Sequence, residues 1–373
     1  MLFRKKRIYA DAAAATPLSP AARRELLRLL DVYGNAGALH QEATEAKAEL
    51  DAARHTIAES IKAHPDEIIF TASGTEGNNI AINGILRPLL RQVGELHAIT
   101  LAIEHQSVLE PLRALESEGL YVTQMPVDPE GLVSLVALKE AITEETVFVS
   151  VQLVNSEVGT IEPLREVAKL LRQVRTERRK NVTEGEEPLP LYLHSDASQA
   201  PLWLPLAVES LGVDLLTLDA QKVLGPKGVG VLYIKRRTDI EPVIRGGVQE
   251  FGLRGGTPNV PMVGSFAVAL KEAQEDVTTR VAHVSAMRDL LYTELIKALP
   301  DVVLNGPQMA HRVANNLNIA LPGLDAEMAV LGMDALGVAV STRSACNTGD
   351  EAPSHVIAAL GAPHARSAVR ITL

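Results

Sequence analysis

LDAQKVLGPKGVG, Leu218 to Gly230, sets one lysine, Lys222, after an apolar run and just ahead of two turn-forming pairs, Gly225-Pro226 and Lys227-Gly228. The runs on either side, Asp214 to Leu218 and Gly228 to Ile234, have the length of buried strands and are too short for helices. Working outward, the same texture recurs at Glu67 to Phe70, His97 to Ile103, Tyr121 to Val127, Val147 to Leu153 and Leu189 to His194. Helical segments lie between these runs. Over Ala46 to Ile61 the residues Leu50, Ala53, Ile57 and Ile61 recur at helical spacing, and a further helix is expected over Asn78 to Leu90. Short apolar strands separated by helices predict right-handed crossovers and a mostly parallel, seven-stranded sheet with helices on both faces. The fold class is α/β.

A chain of 373 residues is too long for one small core, and two domains are expected. After Thr257-Pro258 the pattern changes to a long helical stretch, Val260 to Leu299, and then to strands near Asn315 to Ala320 and Gly337 to Val340. Residues 13–259 are read as a large cofactor-binding domain, and residues 1–12 with 260–373 as a smaller α+β domain. Arg178 to Pro190, charged and off-pattern, reads as an exposed insertion. Hydrophobic residues make up 46% and charged residues 22% of the chain, the composition of a soluble globular protein. The net charge of -10 with scattered basic residues argues against a nucleic-acid groove. The RKKR run at the start has no apolar core behind it, unlike a secretory signal, and no apolar stretch approaches the roughly 20 residues that span a bilayer. A cytoplasmic protein is expected. One cysteine, Cys346, rules out an internal disulfide and a structural zinc site built on thiolates, and leaves that residue as either a small buried hydrophobe or a reactive thiol.

Ligands of such sheets bind outside the carboxyl ends of the strands, which directs attention to Ser73 to Asn79, Glu104 and His105, Asn155 to Gly159, Asp196 to Gln199, and Asp219 to Lys222. In ASGTEGNN, small residues between a strand and a helix suit an anion, or else an ordinary Ser/Thr helix cap. Asp196, at a strand end, could hold a protonated ring nitrogen or cap the following turn. Lys222 in a dry cleft is favoured as its neutral amine, which makes it a Schiff-base former. Phosphate anchor, acidic partner for a pyridinium and amine nucleophile are what pyridoxal 5'-phosphate asks of a protein.

With these residues in place, the sequence resembles, nearly end to end, the cysteine desulfurases of the class V (fold-type I) pyridoxal-phosphate enzymes. The blocks that carry the resemblance are YADAAAATP, YGNAGALH, SGTEGNN, IEHQSVLEP, VNSEVGTIEP, DASQ, QKVLGPKGVG, RGGTPNV, RSACNTGDEAPSHV and SAVRITL. The resemblance implies that Lys222 carries the cofactor, Asp196 pairs with the pyridinium nitrogen and Gln199 bonds the ring hydroxyl. It implies that His105 stacks on the ring and assists proton transfer, with Asn155 nearby. Gly74 and Thr75 would hold the phosphate, joined by Thr257 from the partner of a homodimer. Asn35 and Arg370 would receive the substrate carboxylate, and Cys346, in a long loop from Ser341 to Pro353, would take sulfur from L-cysteine as a persulfide. The implied function is an L-cysteine desulfurase that yields L-alanine and passes sulfur to acceptor proteins for iron–sulfur cluster assembly or tRNA thiolation. A selenocysteine lyase, another class V enzyme such as an aminotransferase, and a catalytically silent partner-binding homologue are the alternatives.

The sequence departs from the family pattern at three places. Gln221 stands where the family usually has histidine, and its amide can still donate to a phosphate oxygen. Asp219 stands where the family usually has serine. A carboxylate about 4 Å from a phosphate charge costs on the order of 4 kcal/mol at an effective dielectric of about 20, so Asp219 is expected to point away, bonded to backbone or to an arginine. The chain also stops at ITL, just after Arg370, where the family continues, so a truncated or differently closed small domain is expected.

Overall fold

The computed structural model describes residues 7–181, 183, 187–342 and 354–373. In chain order the first part runs β1 (Ile8–Tyr9), α1 (Pro20–Leu29), α2 (Gln41–Ser60), β2 (Ile68–Thr71), α3 (Gly74–Val93), β3 (Leu96–Leu101), α4 (Gln106–Glu116), β4 (Leu120–Met125), α5 (Leu135–Ala141), β5 (Thr146–Ser150), α6 (Leu164–Asn181), β6 (Tyr192–Asp196), α7 (Val208–Leu211), β7 (Leu215–Asp219) and β8 (Gly230–Ile234). Among the described residues, β2 to β8 form a seven-stranded sheet in the order β2-β8-β7-β6-β5-β3-β4. Neighbours are parallel except at β8, which runs antiparallel to both β2 and β7.

Side chains alternate across this sheet, as the two-residue period of a strand requires. Ile68, Phe70, Leu216, Leu218, Val231 and Tyr233 enter one core with residues of α1, α2 and α6. Ile69, Leu215, Leu232 and Ile234 enter the other with residues of α3 and α4. Both faces are therefore covered, as the α/β reading expects. Strand boundaries differ from the sequence expectation by one to three residues. The larger difference is at α3, which begins at Gly74, a full turn before Asn78. Ser73 accounts for it: its hydroxyl caps the helix by accepting from the Glu76 N–H at 3.1 Å.

The remaining elements are α8 (Val260–Glu275), α9 (Val277–Ala298), β9 (Val303–Leu304), β10 (Asn316–Ala320), α10 (Ala326–Leu336), β11 (Val338–Ala339), α11 (His355–Ala359) and β12 (Ala368–Thr372). The single helical stretch expected from Val260 to Leu299 is two helices, because Asp276 leaves the helical region at φ -122° and ψ 29° and the β-branched run Val277-Thr278-Thr279 follows it. The first of the two, α8, packs on α1 and α2. Antiparallel β12-β10-β9 and the parallel pair β1-β11 form two small sheets. Arg178, read as the start of an exposed insertion, is buried and lies within α6, which runs on to Asn181, with its guanidinium donating to the Thr143 carbonyl. Among the described residues no helix is long and apolar enough to cross a membrane.

The loop after β5 joins the large sheet to the small one. Gly159 has φ +74°, and a Cβ there would lie 2.7 Å from that of Asn316, so only glycine lets β10 come this close. Asn316 and Asn318 each donate through Nδ2 to the Glu157 carbonyl at 3.0 Å. These contacts bring β12, with Arg370, to the carboxyl ends of the large sheet.

Candidate active site

Those carboxyl ends and β12 enclose a cavity of about 290 Å³, lined by Lys222, Asp196, His105, Gln199, Thr75 and Arg370 among others. Lys222 follows β7 in a single 3₁₀ turn, and its Nζ donates to the carbonyls of Ala13 and Ala14 at 2.8 and 2.6 Å. Gln199 Nε2 donates to the same Ala13 carbonyl at 2.9 Å, so lysine and glutamine are set against one strip of backbone.

Asp196, the last residue of β6, accepts from the Ser198 N–H at 3.0 Å through Oδ1 and from Asn78 Nδ2 at 2.8 Å through Oδ2. The alternative of a plain turn cap is thus half right: Oδ1 caps the turn, while the second oxygen is held by a dedicated side chain. Asn78, fully buried, was not singled out from the sequence. Its signal lay in helical spacing, because four residues after Gly74 it occupies the same face of α3. Asn78 Nδ2 also donates to Ser107 Oγ at 2.8 Å, and Ser107 lies 2.8 Å from His105 Nδ1. One amide therefore links the acidic residue to the histidine.

Arg370 is 1% exposed. It pairs with Asp11 at 2.8 Å and donates to the Ser156 carbonyl at 3.2 Å, while its buried Nε has no hydrogen-bond partner among the described residues. Glu104, next to His105, is fully buried. Burial, with Asp196 adding to it, pushes its carboxyl well above the ordinary range, and its Oε1 accepts from the Gln152 N–H at 2.6 Å. Beneath Asp196, burial pushes the His194 imidazole down to about 4, so it is neutral between Ser150 and Thr217.

Several expected residues lie elsewhere. Asn155 is 2% exposed and holds its own loop: its Nδ2 donates to the Ile103 carbonyl at 3.0 Å and its Oδ1 accepts the N–H groups of Glu157 and Val158. The cavity wall at that point is made by Gln152, Val154 and Ser156 instead. Asn35 is exposed and accepts from the Gly37 N–H. Thr257 is likewise exposed and away from the cavity of its own chain. Cys346 lies outside the described residues.

Asp219 bonds backbone, as expected, yet it does not point away. It lines the cavity, where Oδ2 lies 3.2 Å from the Gly74 N–H nitrogen and 3.2 Å from Gln221 Nε2, and Oδ1 lies 3.2 Å from the Gln221 backbone nitrogen. The physical reason is proximity: β7 ends beside the uncapped donors of α3, and a carboxylate satisfies them. Gln221, expected to reach a phosphate, spends its amide on this carboxylate.

An amine, an aspartate with an anchoring amide, a histidine, a helix N-terminus and a guanidinium around one cavity make a donor set that fits a phosphorylated pyridine aldehyde. Residues 8–373 match the family model described as aminotransferase class-V. The chain belongs to that family. Within the family it is 38% identical over 372 residues to the cysteine desulfurase IscS of Dictyoglomus turgidum, an alignment spanning 99% of this chain and 90% of that one. Among solved structures it is similar to a NifS-like protein, with a TM-score of 0.89 and 30% identity, covering 98% of this chain and 93% of that one. It is similar also to SspA in complex with cysteine, with a TM-score of 0.81 and 30% identity, covering 98% of each.

Proposed function

We infer that the protein is a pyridoxal-phosphate-dependent L-cysteine desulfurase that yields L-alanine and leaves sulfur as a persulfide on Cys346. The observation that carries this reading is the single cavity in which Lys222, Asp196 and His105 of the large sheet meet Arg370 of the small one. When bound, pyridoxal phosphate supplies an electron sink for the pair released at the substrate Cα.

Lys222 Nζ holds the cofactor and moves the proton at that carbon. Asp196, oriented by Asn78 and Ser198, keeps the ring nitrogen protonated. Arg370 presents a planar guanidinium to the substrate carboxylate, and its Nε, without a partner among the described residues, is a donor left over for that purpose. Sulfur transfer forms an S–S bond at Cys346 Sγ as the substrate Cβ–S bond breaks, and the electron pair stays with the carbon skeleton, which is protonated and leaves as alanine.

The flanks of the segment bearing Cys346 support its reach. Ser341 exchanges backbone hydrogen bonds with Arg370 at 2.7 and 3.1 Å, Ser354 donates to the Glu157 carboxylate, and His355 Nε2 lies 2.9 Å from the Glu104 carbonyl. Cys346 is five residues from Ser341, a tether of up to about 17 Å.

The proposal includes a homodimer in which Thr257 serves the partner's phosphate. Val248 and Leu39, almost fully exposed apolar residues, suit a second copy. It also includes a cytoplasmic location, delivery of sulfur to a cluster-assembly scaffold or a tRNA-thiolation enzyme, and a division at residues 13–259 against 1–12 and 260–373, tied together by α8.

Incubation with L-cysteine and a thiol reductant is expected to release sulfide and alanine. Cys346→Ala should abolish sulfide while the visible absorbance of the cofactor persists, and Lys222→Ala should lose the absorbance too. Sulfide release by Cys346→Ala at the wild-type rate would refute the persulfide relay.

A further inference from the structure

We propose that Asp219 is a built-in competitor for the cofactor phosphate, so that this site favours the phosphorylated cofactor over its unphosphorylated form less than its other residues would allow. The inference rests on the reading of the cavity as a pyridoxal-phosphate site. Its basis is the position of one carboxylate. Asp219 is 7% exposed, lines the cavity, and accepts the Gly74 N–H, one of the donors that the first turn of α3 offers to an anion.

The approach is built into the backbone. A Cβ at residue 74 would stand 3.2 Å from Asp219 Cβ and 3.2 Å from Ser198 Oγ, so glycine is what admits the carboxylate to that N–H. Its hydrogen-bond partners, the Gly74 and Gln221 backbone and the Gln221 amide, are all neutral. Arg254, the cation at this turn, is paired with Glu76 at 2.8 Å. Among the described residues, the cation at this turn is thus already paired before a second anion arrives.

A phosphate monoester carries about -1.5 to -2 charge near neutral pH. It must either turn the carboxylate out of its hydrogen bonds or bind beside it, and both weaken the phosphate end. At the ring end, Asp196 bonds Asn78 and Ser198, and Gln199 bonds the Ala13 carbonyl, while Asp219 bonds Gly74 and Gln221. The carboxylate sits at the phosphate end, on the Gly74 N–H, so the penalty is expected to fall on the phosphate.

The test uses the full chain stripped of cofactor and titrated separately with pyridoxal phosphate and with pyridoxal, each followed by visible absorbance, in wild type, Asp219→Ser and Asp219→Asn. Asparagine keeps an acceptor for the Gly74 N–H without the charge, which guards against a variant that merely misfolds. Both variants are expected to bind pyridoxal phosphate at least about tenfold more tightly with pyridoxal affinity unchanged. An unchanged or weaker affinity for pyridoxal phosphate overturns the proposal, as does an equal gain for both ligands, which would place the effect on the pocket at large. If wild type and variants alike bind neither ligand, the cofactor reading itself fails and takes this inference with it; binding by all three with the same preference sinks the competitor alone.

Discussion

Two neighbouring parallel strands, β6 and β7, each end in an aspartate, and each aspartate accepts a hydrogen bond from the opening turns of α3. Asp196 takes a side-chain amide, that of Asn78, whereas Asp219 takes a backbone N–H, that of Gly74. The amide is dedicated: it orients Asp196 and uses up nothing a ligand needs. The backbone N–H is a donor at the start of α3, and on the proposal above the carboxylate that accepts it competes with a phosphate for it. Glu104, just beyond β3, is a third case, with one oxygen on the Gln152 N–H, the other without a partner among the described residues, and a carboxyl that burial drives toward its neutral form. At one end of one sheet, the meaning of a carboxyl is set by the donor it receives rather than by its place on the strand.

Removing the better-held aspartate breaks the contrast most. Asp196→Ala is expected to lower kcat/KM by about 10²–10³-fold, the scale on which one preorganised electrostatic partner acts, with cofactor absorbance retained through Lys222. Sulfide release measured beside the absorbance checks both parts, and wild-type activity in that variant would mean that Asp196 is only a turn cap. Asn78→Ala should have a smaller effect in the same direction. It strips the donor from Asp196 and Ser107 together, and unsatisfied buried groups cost about 1–3 kcal/mol, visible as a lower urea midpoint along with a partial loss of kcat. Asp219→Asn, by contrast, should tighten the cofactor.

Much of this was legible in the sequence, and what was not has a common cause. The large sheet announces itself because buried strands must be apolar and short, and β7 and β8 could be placed from the runs Asp214 to Leu218 and Gly228 to Ile234 that flank Lys222. Lys222, Asp196, His105, Gln199 and Arg370, which strand ends and motif blocks mark in the sequence, line one cavity. At the cavity, the departures concern which donor or acceptor a polar side chain meets. Asn155 sits in the right loop, but its amide is consumed by the Ile103 carbonyl and two backbone N–H groups. Asn78 was expected to open its helix, whereas the Ser73 cap moves the start of α3 back by one turn and places Asn78 inside it. For Asp219, repulsion from a phosphate predicted avoidance, but the donors of α3 attract the carboxylate when they have no other acceptor. Sequence patterns encode burial and spacing; they do not encode the local competition among donors.

A carboxyl remote from any ligand donor gives the smallest and cleanest test of that lesson. Glu162, after β5, is 2% exposed. Its Oε2 accepts only the Val133 N–H at 3.1 Å, and its Oε1 has no partner among the described residues. Burial, with a lesser push from Asp128, raises its pKa from 4.5 to about 8 against the lowering effect of that one hydrogen bond. A folded-state pKa above the unfolded value means that the stability from the neutral form is fully present below about pH 4.5 and is lost as pH rises toward 8. Glu162→Gln stays neutral throughout and keeps an acceptor for Val133. The stability difference, wild type minus variant, should therefore fall between pH 5 and pH 8 by up to about 1.4 kcal/mol per unit, measured as urea midpoints of both proteins. Glu104 titrates in the same sense in both; the Glu162 charge is a lesser cause of its upward shift, so Glu162→Gln removes that part and the fall in the difference includes it. A difference that stays constant across that range would show Glu162 to be ionised in the folded chain, and a single backbone donor would then be enough to hold a buried carboxylate charged.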